Sequence, residues 1–142
     1  MVDAKDKKII GLLRENSRIS VRDIAKKTGI RPSTVHQRIQ KLRKKGVIEK
    51  FTVKLDDRAV DQSFIVFMLL KGESHEYINQ KILSKPNVKE VFGVTGEYDM
   101  LLKMKFRDIE EFNSFIINFR KENKDIRSTI TMVATAKLKE DI

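Results

Sequence analysis

The positive charge of this 142-residue chain is confined to its first third, and that segregation constrains the fold more than any other feature. Residues 1–54 carry sixteen Lys and Arg against five Asp and Glu, a net of +11. Residues 55–142 carry fourteen against fifteen, a net of −1, which restores the whole-chain value of +10. A basic segment joined to a near-neutral one points to a polyanion-binding module attached to a domain with another task. The length accommodates two small domains. The expected division is a basic, polyanion-binding domain over 1–54, a linker over 55–62 and a second domain over 63–142.

Other features narrow the class. The chain has no cysteine, which removes disulfides and thiolate metal sites and fits a reducing compartment. Its longest apolar run, 64–70, falls far short of the roughly 20 residues that span a bilayer. The first six residues hold no apolar stretch of the signal-peptide kind. A soluble cytoplasmic protein with no membrane partner, no metal and no cofactor is expected.

The first third reads as three helices and a wing. Asp3 or Asp6 caps a first helix to about Glu15, with Ile9, Ile10, Leu12 and Leu13 as its apolar stripe. Ser20 caps a second helix, with Asp23 three residues on, offering Val21, Ile24 and Ala25 to a core. Thr28-Gly29 ends it, and Ile30-Arg31-Pro32 is the turn. Ser33 or Thr34 starts a third helix, which runs to about Lys45. A short helix, a Gly-containing turn and another helix make a helix-turn-helix.

The third helix has a narrow core stripe of Val35, Ile39 and Leu42. Ser33, Gln37, Gln40 and Lys44 lie opposite, flanked by His36 and Arg43 on one side and Thr34 and Lys41 on the other. No acidic residue occurs from Thr28 to Ile48, whereas Arg31, Arg38, Lys41, Arg43, Lys44 and Lys45 all fall there. A merely solvated helix mixes Glu with Lys. This face predicts a recognition helix, with Gln and Ser reading base edges and Lys and Arg binding phosphates. The alternating residues 47–54 predict a strand or wing, with Lys50 and Lys54 reaching the DNA backbone.

The remainder predicts strands over 63–70, 88–95, 98–106 and 126–137, with helices over 74–85 and from an Asp108 cap to about Asn123. Tyr77, Ile78, Ile82 and Leu83 face inward from the first helix, and Ile109, Phe112, Phe115, Ile116 and Phe119 from the second. The order βαββαβ is the ferredoxin-like arrangement, so the fold class is α+β: a winged helix-turn-helix joined to a ferredoxin-like domain. Two helices cover one face of such a sheet. Yet the first strand is apolar on both faces, with Phe64, Val66, Met68 and Leu70 on one and Ile65, Phe67 and Leu69 on the other. A second apolar face predicts a sheet-to-sheet homodimer.

These features resemble the Lrp/AsnC (feast/famine) family, the leucine- and asparagine-responsive regulators of bacteria and archaea. The resemblance rests on residues 3–10, on Ile24-Ala25 with Gly29, on the run 32–42, on Gly46-Val47-Ile48, on the segment 91–99 ending Thr-Gly-Glu-Tyr-Asp, and on Thr129 and Thr131. It implies sequence-specific binding to double-stranded DNA, pairing through the sheets with further assembly up to octamers, and regulation by an amino acid. The effector would bind at the turn Thr95, Gly96, Glu97, Tyr98 and Asp99, with Thr129 and Thr131 completing the site. Asp99 or Glu97 would accept from the ligand ammonium, and N–H groups near Gly96 would donate to its carboxylate. The chain departs from the family in the linker, where Asp57 and Asp61 replace the frequent Pro and Gly, and at Asn123-Lys124-Asp125 before the last strand.

Two alternatives stand beside this reading. One is an effector-independent architectural DNA-binding protein, in which the 95–99 turn is purely structural. The other is an enzyme similar to the sirohaem decarboxylases that share this architecture. The latter chemistry calls for histidines in the second domain, and the chain has only His36 and His75.

Overall fold

The structure is a computed structural model describing residues 1–72 and 80–142. Two compact units make up the chain, residues Met1–Lys54 and Leu55–Ile142.

Unit one contains α1 (Ala4–Glu15), α2 (Val21–Thr28) and α3 (Pro32–Lys44). A capping box fixes the start of α1: the Asp3 carboxylate accepts from the Asp6 N–H, and the Asp6 carboxylate accepts from the Asp3 N–H. The Ser20 hydroxyl caps α2 by accepting from Asp23, and Gly29 ends that helix at φ +72°, a conformation that suits glycine. Helix α3 begins one residue earlier than the capping residues suggest. Pro32 occupies its first turn, where a missing N–H is no loss, and Arg31 provides no side-chain cap. Ile9, Ile24, Ala25, Ile30 and Val35 form the core of the unit, with Leu12, Leu13 and Ile39 packed against it.

Residues 47–54 do not form the predicted strand. Alternation makes a segment competent to pair, but a strand exists only where a ladder partner satisfies it. Arg43 holds the segment instead, donating to the carbonyls of Ile48 and Glu49, with its guanidinium 5.6 Å from the centre of the Phe51 ring.

Unit two contains β1 (Phe64–Gly72), α4 (Gln80–Leu83), β2 (Val88–Gly93), β3 (Met100–Phe106), α5 (Ile109–Glu122) and β4 (Ile126–Val133). The sheet order is β2-β3-β1-β4, and its three pairings are all antiparallel. This is the expected ferredoxin-like arrangement. The strands end sooner than the apolar pattern suggests: β2 stops at Gly93, β3 starts at Met100 and β4 stops at Val133. The predicted helix over 74–85 lies partly outside the described residues, which takes His75, Tyr77 and Ile78 with it.

The core lies between one sheet face and the helices. Val66, Met68 and Leu70 of β1 and Leu102, Met104 and Phe106 of β3 are fully buried there, against Ile82, Phe112 and Phe119. The Phe106 ring meets Phe112 edge-on at 5.3 Å and Phe115 at 5.2 Å between centroids. Two residues expected inward are exposed: Ile109, in the first turn of α5, and Leu83, at the end of α4. Each falls at a helix end, where the covering surface runs out.

Residues 55–62 fold with the second unit. The Asp57 carboxylate receives Lys105 at 2.8 Å and Lys137 at 2.6 Å, and its carbonyl accepts from the Gln62 N–H. Asp61 adopts φ +55°, which Asp tolerates better than most residues. Both aspartates that depart from the family pattern therefore shape this turn.

Candidate nucleic-acid interface and effector turn

Helix α3 separates two faces by burial. Val35 and Leu42 are buried, whereas Ser33, His36, Gln37, Gln40, Lys41, Arg43 and Lys44 are exposed and Thr34 is half-buried. Thirteen residues give a rod of about 20 Å, which a B-DNA major groove about 12 Å wide accepts. Arg31 precedes the helix and Lys50 follows it, both exposed. The outer face carries hydrogen-bonding side chains nearer its start and cations nearer its end.

Arg38, also expected among the DNA contacts, is half-buried and engaged within the unit. Its guanidinium reaches back to α1, with Nη1 2.6 Å from Asp3 and 3.0 Å from Asp6. The hydrogen bond from Arg38 is the largest influence holding the Asp3 carboxyl down at about 2. Arg38 thus ties the first turn of α1 to the middle of α3. A count of cations cannot separate a structural arginine from a phosphate-binding one, since the partners lie 32 and 35 residues away. Arg43 likewise has a structural part, and its i+5 and i+6 carbonyl contacts leave no pattern in the sequence.

The second site is built on the connection between β2 and β3. Asp99 fastens it: its N–H donates to the Leu70 carbonyl, its carbonyl accepts from Val94, and its carboxylate accepts from the Gly72 N–H at 3.2 Å. Gly96 has φ +113°, which a side chain would resist. Thr95 and Glu97 are exposed and Tyr98 is half-buried. Thr129 and Thr131 sit on edge strand β4 opposite Leu70 and Met68. Strand β1 therefore separates this threonine pair from β3 and the turn. Two strand spacings put them about 10 Å apart at the same end of the sheet.

Known proteins decide what this architecture is. The family described as winged helix-turn-helix DNA-binding matches residues 2–49, and that described as Lrp/AsnC ligand binding domain matches residues 63–142. The chain belongs to the Lrp/AsnC family. It is similar to the HTH-type transcriptional regulator FL11 of Pyrococcus furiosus, 37% identical over 118 residues, or 82% of this chain and 78% of that protein. The crystal structure of an AsnC family transcriptional regulator from Agrobacterium tumefaciens superposes with a TM-score of 0.91 at 29% identity, covering 98% of this chain and 94% of that one. A transcriptional regulator from Neisseria meningitidis, solved as a complex with L-Met, shares the fold at a TM-score of 0.89 and 21% identity, with 99% and 94% covered. This Lrp/AsnC protein is a DNA-binding transcription regulator, and its relatives are named as regulators rather than enzymes. Among the described residues no helix is long and apolar enough to cross a membrane, and no cluster of three or more His, Cys, Asp or Glu could hold a metal.

Proposed function

We propose that this Lrp/AsnC regulator acts in the cytoplasm, as a homodimer or a higher assembly such as an octamer, on double-stranded DNA, and that an amino acid modulates it. The observation that carries the DNA part is the exposed, acid-free outer face of α3. Ser33, Thr34, His36, Gln37 and Gln40 read base edges, while Arg31, Lys41, Lys44 and Lys50 engage phosphates. Gln37→Ala is expected to relax preference at one base pair by about 1–3 kcal/mol. Lys41→Gln should weaken specific and random duplexes alike and lower the salt slope by about 0.9. Arg38→Gln should leave that slope unchanged and lower the melting temperature, because its partners are Asp3 and Asp6. A titration across salt concentrations, with a melting curve for each variant, reads all three. Parent-like binding by both Gln37→Ala and Lys41→Gln would rule out α3 as the reading head.

The effector part rests on the family and on the Neisseria regulator's L-Met complex. An amino acid bound between subunits would meet the 95–99 turn of one copy and Thr129 and Thr131 of another. The bond from the Gly72 N–H to the Asp99 carboxylate favours a second reading, in which the turn is structural and the protein has no effector. Asp99→Asn separates the two, since it keeps an acceptor for Gly72 but removes the charge. Under the sensing reading, calorimetry shows an amino acid binding the parent and not the variant, with DNA binding by the free protein unchanged. If no amino acid binds the parent at millimolar concentration, the architectural reading stands.

A further inference from the structure

A hollow of about 480 Å³ opens in unit one beside the start of α3. It is lined by Lys5 and Lys8 of α1, by the 28–31 turn with Arg31, and by Thr34 on the first turn of α3. No carboxylate lines it. Lys5, Lys8 and Arg31 are exposed, and none has an ion pair or side-chain hydrogen bond among the described residues. The two acids of the first turn of α1 are engaged elsewhere, since Asp3 and Asp6 are held by the capping box and by Arg38. Three like charges converging on one concavity repel one another, and an anion seated among them removes that cost. Thr34 makes the hollow continuous with the outer face of α3.

We propose that Lys5, Lys8 and Arg31 seat a backbone phosphate of the bound duplex, at the rim of the groove that α3 enters. The proposal rests on α3 as the reading head and adds a contact from α1, outside the helix-turn-helix pair. Phosphates line both rims of the major groove, so a helix entering it carries the neighbouring hollow to one of them. The contact contributes affinity without base preference.

The test uses the full chain and a mixed-sequence duplex titrated across salt. Replacing both lysines, Lys5→Gln with Lys8→Gln, should lower the salt slope by about 1.8, near 0.9 for each lysine that no longer displaces a counterion. The double replacement by Arg should keep the parental slope, and Lys121→Gln in the second unit should also keep it. A Gln double variant with a native melting curve and the parental slope would refute the seat. So would an equal fall in Lys121→Gln, which would mark a general charge effect. Stabilisation of the parent but not the Gln variant by millimolar inorganic phosphate, with slopes equal, would identify a free-anion site and overturn the DNA contact. A parent that binds no duplex at all would overturn the α3 reading together with this one.

Discussion

Phe67→Glu is expected to turn the proposed dimer into a monomer at micromolar concentration. The helix-free face of the sheet shows why. Register places Phe92, Leu101, Leu69 and Ile130 in one row across four strands, with Phe67 and Met132 side by side in the next. Phe92, Ile130 and Met132 are 55%, 41% and 44% exposed in the single chain, while α4 and α5 cover the opposite face. These apolar rows need covering, and a second copy of the same face covers them symmetrically, with Lys103 and Lys105 and their carboxylate partners beside them on that face. Glu at position 67 would then be buried in each subunit beside Lys103, which already serves Glu90 and Glu140, so the added carboxylate is an uncompensated negative charge. A cost of about 3 kcal/mol weakens the dimer by more than roughly a hundredfold. Sedimentation of the full chain reads the mass. Ile130→Glu, on the edge strand, probes the same face at a position already exposed, so a misfolded Phe67 variant does not end the test. A parent that is monomeric at micromolar concentration, or two folded variants that remain dimeric, would sink the sheet-to-sheet pairing.

Lys105→Met should destabilise the second unit by about 3–5 kcal/mol, the usual cost of removing one partner from a buried charge cluster. Lys105 is buried, with its ammonium 2.8 Å from Asp57 and 2.9 Å from Glu140. Burial alone would lower its pKa, yet the two carboxylates raise it above the ordinary lysine value. Glu140 also pairs with Lys103, and Asp57 with Lys137, so the cluster joins the 55–62 turn, β3 and the C-terminal segment. Taking the cation away leaves two half-satisfied carboxylates at the sheet. Thermal melting followed in the second unit measures the effect, and a variant as stable as the parent would show that the cluster is dispensable.

The same cluster sets a pH dependence. Lys103 first, and then Lys105, hold the Glu140 carboxyl at about 2, below the ordinary glutamate value of 4.5. The folded state thus favours the ionised form. Its stabilisation is complete above pH 4.5 and disappears as pH falls toward 2. Asp57 is shifted in the same direction: burial opposes, but Lys105 and Lys137 outweigh it. Acid unfolding should consequently be steeper in the parent than in Glu140→Gln over that window.

Local rules in the sequence were enough for the order of α1–α3, of β1–β4 and of α5, and for most of both cores. Caps at Asp3, Ser20 and Asp108, the glycine stop at Gly29 and the apolar spacing of α1–α3 and α5 each act within a few residues, so they are written where they operate. The charge partition and the acid-free face of α3 are equally local, and they were sufficient for the DNA-binding reading. Pairings across the chain depend on which segments the fold brings together. Arg38 joins Asp3 and Asp6, 35 and 32 positions away, and Asp57 meets Lys105 some 48 positions away. The 47–54 segment has the alternation of a strand but no partner to ladder with. Lys5 and Lys8 come together with Arg31 only because α1 packs against the α2–α3 pair. Short-range capping and periodicity are properties of the chain, whereas partners for charges and strand edges are properties of the assembled surface, and only the tertiary structure decides them.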